Sequence, residues 1–174
     1  MLSKEELFDE YIFTPQANQP NRDAGRTAFE AQCASCHKFG AVGNDHGLAS
    51  LNLTAMGASP TGKRDILEAV LWPSRKVAAA HETSVIDTTD GRTINALVLR
   101  DTPQALALLP SDGKAMDLPK SQVKASRKVK TSLMPEMLVD TVGRGPLGSI
   151  LAFLTAPPPA PTPAPLAPVS SRRP

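Results

Sequence analysis

Aromatic side chains, cysteines and long apolar runs are all scarce in this 174-residue chain. Only 4% of the residues are aromatic although 41% are hydrophobic, so the core is either mostly aliphatic or filled by something other than side chains. The most apolar stretches, such as residues 149–156, are far shorter than the ~18 residues that a membrane-spanning helix needs. The net charge of +2 lacks the basic excess of nucleic-acid-binding domains. We therefore expect a globular domain with no membrane span and no nucleic-acid partner.

Helical patterns flank a central segment of β character. Ser3 and Glu6 form a capping-box pattern at the start of the chain, and Pro60 suits the first position of a later helix. We predict helices at residues 3–13, from Asn21 or Asp23 to Cys33, from Ser59-Pro60 to Trp72-Pro73, within 135–142 and within 146–154.

The pattern between residues 82 and 126 predicts antiparallel strands. ETSVIDTTDGRTINALVLRD alternates apolar and polar residues around Asp90-Gly91, which is a strong hairpin signal. QALALLPSDGKAMDLP repeats the design around Asp112-Gly113, and SQVKAS adds a fifth short strand. We predict a small antiparallel sheet or barrel here.

Both cysteines of the chain, Cys33 and Cys36, lie in the pentapeptide CASCH, which ends with His37. Three chemistries use a Cys-x-x-Cys pair: a thioredoxin-like redox site, a zinc site and covalent attachment of haem c. A redox pair is expected near a βαβ pattern, whereas no strand precedes the motif here. A structural zinc site needs four ligands, and His46 and His81 would have to complete it at irregular spacing.

Attachment of haem c uses all three residues of this motif. The two thiols add to the two vinyl groups of the porphyrin, and the imidazole that follows binds the iron from the proximal side. Cys33, Cys36 and His37 meet this requirement, so we predict one haem c per chain with His37 as an iron ligand. The haem also accounts for the low aromatic content, because it fills part of the core.

Met134 is the predicted iron ligand on the opposite side. It stands in SLMPEML, where Pro135 holds the methionine on a loop and disfavours helix. An isolated methionine usually fills a core, but a Met-Pro pair before a final helix favours ligation once a haem motif is present. Met137 is assigned to the core. The weaker candidates for the same ligand position are Met56, Met116, His46 and His81.

The order of these segments resembles the haem-binding cytochrome c domain common in planctomycete- and verrucomicrobia-type bacteria. The similarity covers nearly all of residues 22–155 and consists of Gly25-x-x-x-Phe29, CASCH, ILEAVLWPSRKV, DGRTINALVL, SLMPEML and ILAFL. It implies a mainly α, class I cytochrome c-like helical fold with an inserted small antiparallel β-sheet or barrel. It also supports Cys33, Cys36, His37 and Met134 as haem residues.

Two positions depart from the pattern of that family. Leu48 stands where the family has a proline, whose carbonyl in class I cytochromes commonly accepts a hydrogen bond from the proximal histidine. His81 stands where an aromatic residue is more usual. With this resemblance we divide the chain into an N-terminal helix and linker at 1–20, a cytochrome c domain at 21–156 with its β insertion at 82–126, and a Pro-rich disordered tail at 157–174.

An iron held by histidine and methionine has no open position for oxygen or a substrate, and methionine raises its reduction potential. We therefore expect an electron carrier rather than an enzyme: a monohaem cytochrome, free or as the terminal domain of a larger exported oxidoreductase. In one alternative, the β insertion is a binding or assembly module and the haem is a structural staple or redox sensor. In another, Met134 does not bind, and an open iron supports peroxidase-type chemistry.

A basic run precedes Met134, with no acidic residue between Leu118 and Pro135. It is either a solvated strand edge protected by lysine or a docking patch for an acidic redox partner protein. Its members are Lys120, Lys124, Arg127, Lys128 and Lys130.

The resemblance implies export to the periplasm. The N-terminal segment MLSKEELFDEYIF lacks the basic start and apolar core of a signal peptide. We therefore expect that the export signal lies in a segment outside this sequence, or that the chain is a piece of a longer protein.

Overall fold

The computed structural model describes residues 2–14 and 20–160. The helices in these ranges are α1 (Lys4–Phe13), α2 (Arg22–Gln32), α3 (Thr54–Ala58), α4 (Gly62–Leu71), α5 (Leu138–Val142) and α6 (Arg144–Leu154). The strands are β1 (Lys38–Phe39), β2 (Val42–Gly43), β3 (Thr83–Thr88), β4 (Thr93–Asp101), β5 (Ala105–Pro110), β6 (Met116–Pro119) and β7 (Val123–Val129). Short 3₁₀ turns occur at Ala49–Leu51, Ala79–His81 and Lys120–Gln122.

Side-chain caps begin the first two helices where the sequence predicts them. The predicted capping box is present: Ser3 Oγ accepts a hydrogen bond from the N–H of Glu6 at 3.2 Å, and the N–H of Ser3 donates to the Glu6 carboxylate at 2.7 Å. Asn21 caps α2 by accepting a hydrogen bond from the N–H of Ala24 at 3.0 Å. The later helices are also present as predicted, namely α4 after Pro60, α5 in PEMLVDTV and α6 near the end.

Helices α2 and α6 cross at very short range because Gly25 of α2 has no side chain. A Cβ atom on Gly25 would overlap the carbonyl oxygen of Ser149 in α6. Beside this crossing, the ring of Phe153 lies 5.6 Å from that of Phe29 and 5.0 Å from that of Phe39, measured between centroids. All three rings are buried. Three of the seven aromatic residues of the chain thus lie together beside the crossing of α2 and α6.

Residues 83–129 form a five-stranded antiparallel sheet with the strand order β6-β5-β4-β3-β7. The predicted turns at Asp90-Gly91 and Asp112-Gly113 join β3 to β4 and β5 to β6, and both glycines have positive φ, 86° and 73°. The predicted fifth strand, β7, pairs with β3. Because β3 and β7 are antiparallel, the residues just before β3 and just after β7 leave the sheet at the same end.

Both faces of the sheet are apolar. Leu97 of β4 and Leu109 of β5 lie directly opposite each other in the strand register, and they pack against residues outside the sheet. The other face has a hydrophobic core of its own, formed by Ile86, Ala96, Leu106, Leu108 and Leu118. The sheet is therefore joined to the rest of the protein through the face that carries Leu97 and Leu109.

The prediction of a mainly α, class I cytochrome c-like fold is wrong. The structure has 40% helical and 24% strand residues and is a mixed α/β fold. The segment predicted as a small insertion has five strands and its own core, because NALVL and ALALL supply apolar residues to both faces of the sheet. The domain boundaries at residues 20 and 156 remain predictions.

Parts of two predicted segments lie outside the described residues: 15–19 of the N-terminal linker and 161–174 of the Pro-rich tail. Across residues 2–14 and 20–160, none of the helices combines the length and the apolar character needed to cross a membrane.

Candidate functional site

The CASCH segment forms a tight turn at the C-terminal end of α2. Cys33 caps the helix, and its N–H donates to the carbonyl oxygen of Phe29 at 2.8 Å. The N–H groups of Cys36 and His37 both donate to the carbonyl oxygen of Cys33, at 3.1 and 2.8 Å. These hydrogen bonds fold the three predicted haem residues into one turn, in which both thiols are free.

The surroundings of Cys33 do not suit a dithiol redox pair. Burial, reinforced by the charge of Cys36, raises the pKa of the Cys33 thiol to about 11. Redox cysteines instead have a lowered pKa and often lie at a helix N-terminus, whose partial positive charge stabilises a thiolate. This motif lies at the C-terminal end of α2, where the helix dipole has the opposite sign. Cys33 is therefore a neutral thiol near pH 7, and the thioredoxin-like alternative is disfavoured.

A zinc site is also disfavoured by the placement of the side chains. Within residues 2–14 and 20–160, no group of three or more His, Cys, Asp or Glu side chains is arranged to hold a metal ion. His46 would have to join the thiols, but its Nε2 donates to the carbonyl oxygen of Ser35 at 2.7 Å. Of the three chemistries that use this motif, haem attachment is the one that these residues fit.

His37 is oriented as a metal ligand. Its Nδ1 donates to the carbonyl oxygen of Leu51 at 3.2 Å, which leaves the lone pair on Nε2. Burial lowers the pKa of His37, and the charge of His81 lowers it further, against the opposing effect of the hydrogen bond to Leu51. A lowered pKa favours the neutral imidazole, which is the form that binds metals. The family pattern has this acceptor at position 48, whereas here the acceptor is Leu51.

The glycine-rich loop after the motif folds back onto it. The N–H of Asn44 donates to the carbonyl oxygens of Ala34 and His37, at 3.0 and 3.2 Å. Gly43 has a φ of 82°, and a Cβ there would overlap the carbonyl oxygen of His37. His46 has a φ of 50° and its ring is bonded to Ser35. The loop thus stabilises the CASCH turn, and it holds His46 against the motif backbone rather than free to bind iron.

A cluster of leucines surrounds Cys36. Its members come from three parts of the chain: the loop after CASCH, the sheet, and the segment just before Met134. We call it the leucine cluster; it comprises buried Leu51, Leu97 and Leu109, with Cys36, Leu48, Leu99 and Leu133 partly buried against them. These side chains give the motif the apolar environment that a porphyrin needs.

The contribution of the sheet to this site is not among the sequence predictions, which place Cys33, Cys36, His37 and Met134 outside 82–126 and keep only Met116 within it as a weaker candidate. The sequence feature that could have predicted it is the run of consecutive apolar residues in β4 and β5. Such a run indicates that both faces of the sheet are buried rather than one. The turn after β5 also reaches the motif, because a Cβ on Gly113 would lie 2.5 Å from the Cβ of Ser35. The second face of the sheet is therefore a wall of the site.

Met134 lies on a loop that is anchored at two points. Its N–H donates to Ser132 Oγ at 3.1 Å, and the N–H of Ser132 donates to Ser74 Oγ just after α4, also at 3.1 Å. Its neighbour Leu133 belongs to the leucine cluster with Cys36. The structure thus brings the predicted methionine loop to the CASCH site, while ligation by Met134 stays a prediction.

The three other methionines of the described ranges, Met56, Met116 and Met137, are exposed. The assignment of Met137 to the core is wrong, because 65% of it is exposed. Met56 and Met116 are exposed by 39% and 37%, which does not suit a ligand that must be shielded from water.

His81 is close enough to His37 for its charge to affect the pKa of that ring. It ends the 3₁₀ turn before β3 and is partly buried. His81 follows His37 by 44 positions (81 − 37), so the sequence alone does not indicate this interaction.

These features fit a covalently attached haem. Two free thiols flank the turn, a neutral imidazole presents Nε2, leucines line the site, and a methionine loop lies beside it. Cys33 and Cys36 would hold the porphyrin, and His37 and Met134 would hold the iron.

Comparison of the sequence with known protein families and with curated proteins gives no match. The resemblance of the sequence to a cytochrome c domain therefore remains a prediction.

Proposed function

We propose that this chain is a monohaem c-type cytochrome, which carries single electrons through a haem attached to Cys33 and Cys36 and ligated by His37 and Met134. The observation that carries the proposal is the orientation of His37, whose Nδ1 is bonded to Leu51 and whose Nε2 is left for a metal. The resemblance to haem-binding cytochrome c domains supports the same function.

Each residue has a separate task in this proposal. Bound haem c supplies one iron that alternates between the ferric and ferrous states. Cys33 and Cys36 would hold the porphyrin through their sulfur atoms, and His37 and Met134 would be the two protein ligands of its iron. Because no position is left for a substrate, the chain acts as an electron carrier and not as an enzyme.

The leucine cluster has two effects in this proposal. Its apolar side chains exclude water and lower the local dielectric constant, which disfavours the additional positive charge of ferric iron. They also make the sheet a part of the redox site, since Leu97, Leu99 and Leu109 all belong to strands. This disfavours the alternative in which the sheet is an independent binding or assembly module.

The test is the mass and the visible spectrum of the protein, produced in a periplasm that contains the haem-attachment machinery. We expect the intact mass to exceed the polypeptide mass by one haem, and we expect this haem to resist acid-acetone extraction. The oxidised protein should be low-spin with a sulfur-to-iron band at the red end of the spectrum. Zinc in place of haem would overturn the proposal, and high-spin iron without that band would favour the peroxidase-type alternative.

We further propose that the protein works in the periplasm, either free or as the terminal domain of a larger exported oxidoreductase. The support for this location is the resemblance to domains of exported proteins, together with the chemistry of haem attachment predicted for CASCH.

The partner we propose is an acidic redox protein that docks on the basic edge, which we define as Lys124, Arg127, Lys128 and Lys130. Strand β7 is an edge strand and most of its side chains are exposed. Arg127 pairs with Asp87 at 3.2 Å, and Lys128 donates to the carbonyl oxygen of Ala79 at 3.0 Å. Lys124 and Lys130 form no ion pair with any residue in the described ranges, so their charges are available to a partner.

The double variant Lys124→Gln/Lys130→Gln lacks the two unpaired charges. In its reduced form it should transfer electrons more slowly to anionic ferricyanide and faster to cationic hexaammineruthenium. Because steered association changes rates by factors of about 10 or more, we expect the ratio of the two rates to fall by up to about tenfold at low salt. The effect should fade at high salt, where screening is strong. Stopped-flow measurements check this.

The control variant is Lys4→Gln with Arg26→Gln, which removes the same charge from α1 and α2. Equal effects of both variants would mean that only net charge matters. The basic edge would then be a solvated strand edge and not a docking patch.

A further inference from the structure

The pairing of β3 with β7 brings two possible ligands to one end of the sheet. Thr83 at the start of β3 pairs with Val129 at the end of β7. Just beyond, the N–H and the Oγ1 of Thr83 both donate to the carbonyl oxygen of Thr131, at 3.1 and 2.9 Å. His81 precedes Thr83 by two residues and Met134 follows Thr131 by three. The segments that carry the two residues therefore leave the sheet at the same end, where Thr83 is bonded to Thr131.

The two segments are also held in place beyond this point. Lys128 Nζ donates to the carbonyl oxygen of Ala79, which anchors the 3₁₀ turn that carries His81. The loop that carries Met134 is anchored through Ser132 to Ser74. The segments that carry His81 and Met134 are thus each held by a hydrogen bond of their own.

The imidazole of His81 has no hydrogen-bond partner in residues 2–14 and 20–160, although it is partly buried. It stands in the 3₁₀ turn that leads into β3, two residues before the Thr83 that is bonded to Thr131. The remaining histidine, His46, is bonded to Ser35. This imidazole is partly buried, has no partner in the described ranges, and belongs to a segment that leaves the sheet at the same end as the Met134 loop.

We propose that His81 is a second distal ligand, which binds the haem iron in place of Met134 when the methionine leaves it. This inference rests on the proposed function, since it requires the haem. In the exchange, the bond from Met134 Sδ breaks and a bond from a ring nitrogen of the neutral His81 forms. The exchange transfers no electron and needs no co-reactant.

The exchange would give the protein two redox states of different potential. A thioether stabilises ferrous iron and raises the potential, whereas an imidazole is the better donor to ferric iron. With His81 bound, the haem would therefore have a lower reduction potential and would give up its electron more readily.

The test compares Met134→Ala with Met134→Ala/His81→Ala in the full-length protein. We expect the ferric single variant to lose the red band but stay low-spin, with His81 bound. The ferric double variant should be high-spin. Added imidazole should bind the double variant with a Kd about tenfold or more below that of the single variant, where the tethered His81 competes.

The matched control is Met134→Ala/His46→Asn, since asparagine tolerates the positive φ at this position. It should remain low-spin like the single variant. The double variant with His81→Ala could fail to fold, and in that case electron spin-echo modulation of ferric Met134→Ala is the test. This method counts the imidazoles bound to the iron, which should be two if the inference is correct and one if it is not.

The failure of this inference differs from the failure of the proposed function. A ferric Met134→Ala protein that carries covalent haem but is high-spin overturns the role of His81 and leaves the cytochrome intact. Absence of covalent haem from the wild-type protein overturns both.

Discussion

Replacement of both Cys33 and Cys36 by serine should abolish covalent haem attachment. A serine hydroxyl does not form the stable bond to a haem vinyl group that a thiol forms, and these two residues are the only cysteines of the chain. The intact mass of the exported variant should equal that of the polypeptide, and acid-acetone should extract any haem that remains. Mass spectrometry and the haem absorbance of the extracted protein measure the effect.

The matched control for this variant is Ser35→Ala. Ser35 lies between the two cysteines, and its hydroxyl contacts Cys36 Sγ only at 3.8 Å. The control changes the same turn without removing a thiol, so it should keep the covalent haem. A double serine variant that still carries haem after extraction would contradict the assignment, as would a complete loss of haem in the Ser35→Ala control.

The features that the sequence predicts correctly are those determined by nearby residues. The capping box of Ser3 and Glu6 and the tight turns at Asp90-Gly91 and Asp112-Gly113 each depend on a few adjacent positions. The turn of the CASCH segment is also local, because hydrogen bonds to the carbonyl of Cys33 form it, while haem attachment by this motif stays a prediction.

The features that escape prediction depend on contacts between distant segments. The sequence predicts the strands, but not that β3 pairs with β7, and this pairing brings the segments that carry His81 and Met134 to the same end of the sheet. The acceptor for His37 is Leu51 rather than position 48, because the loop after CASCH folds back over the motif. The mainly α expectation fails for a similar reason. It treats the sheet as a small insertion, whereas the second face of the sheet is buried against residues that are distant in the sequence.

Valine in place of Gly25 should destabilise the fold strongly. A Cβ at this position would overlap the carbonyl oxygen of Ser149, which is backbone and cannot rotate away. Overpacking of a close-packed core costs about 1–3 kcal/mol, and valine adds further crowding, so we expect a loss of about 3 kcal/mol in the free energy of unfolding. This corresponds to a fall in Tm on the order of 10 °C. Thermal unfolding followed by circular dichroism measures it.

The matched control is Gly145→Ala in α6, where a Cβ meets no atom within 4 Å. This change should leave stability unchanged or raise it by about 0.5 kcal/mol, because alanine is the better helix former. Equal stability of the two variants would mean that α2 and α6 do not cross so closely.

The close crossing of α2 and α6 also positions the thiols, because α2 ends at the residue before Cys33. A displaced α2 should carry the thiols away from the leucine cluster, so Gly25→Val should reduce the yield of attached haem as well as the stability, while Gly145→Ala should change neither.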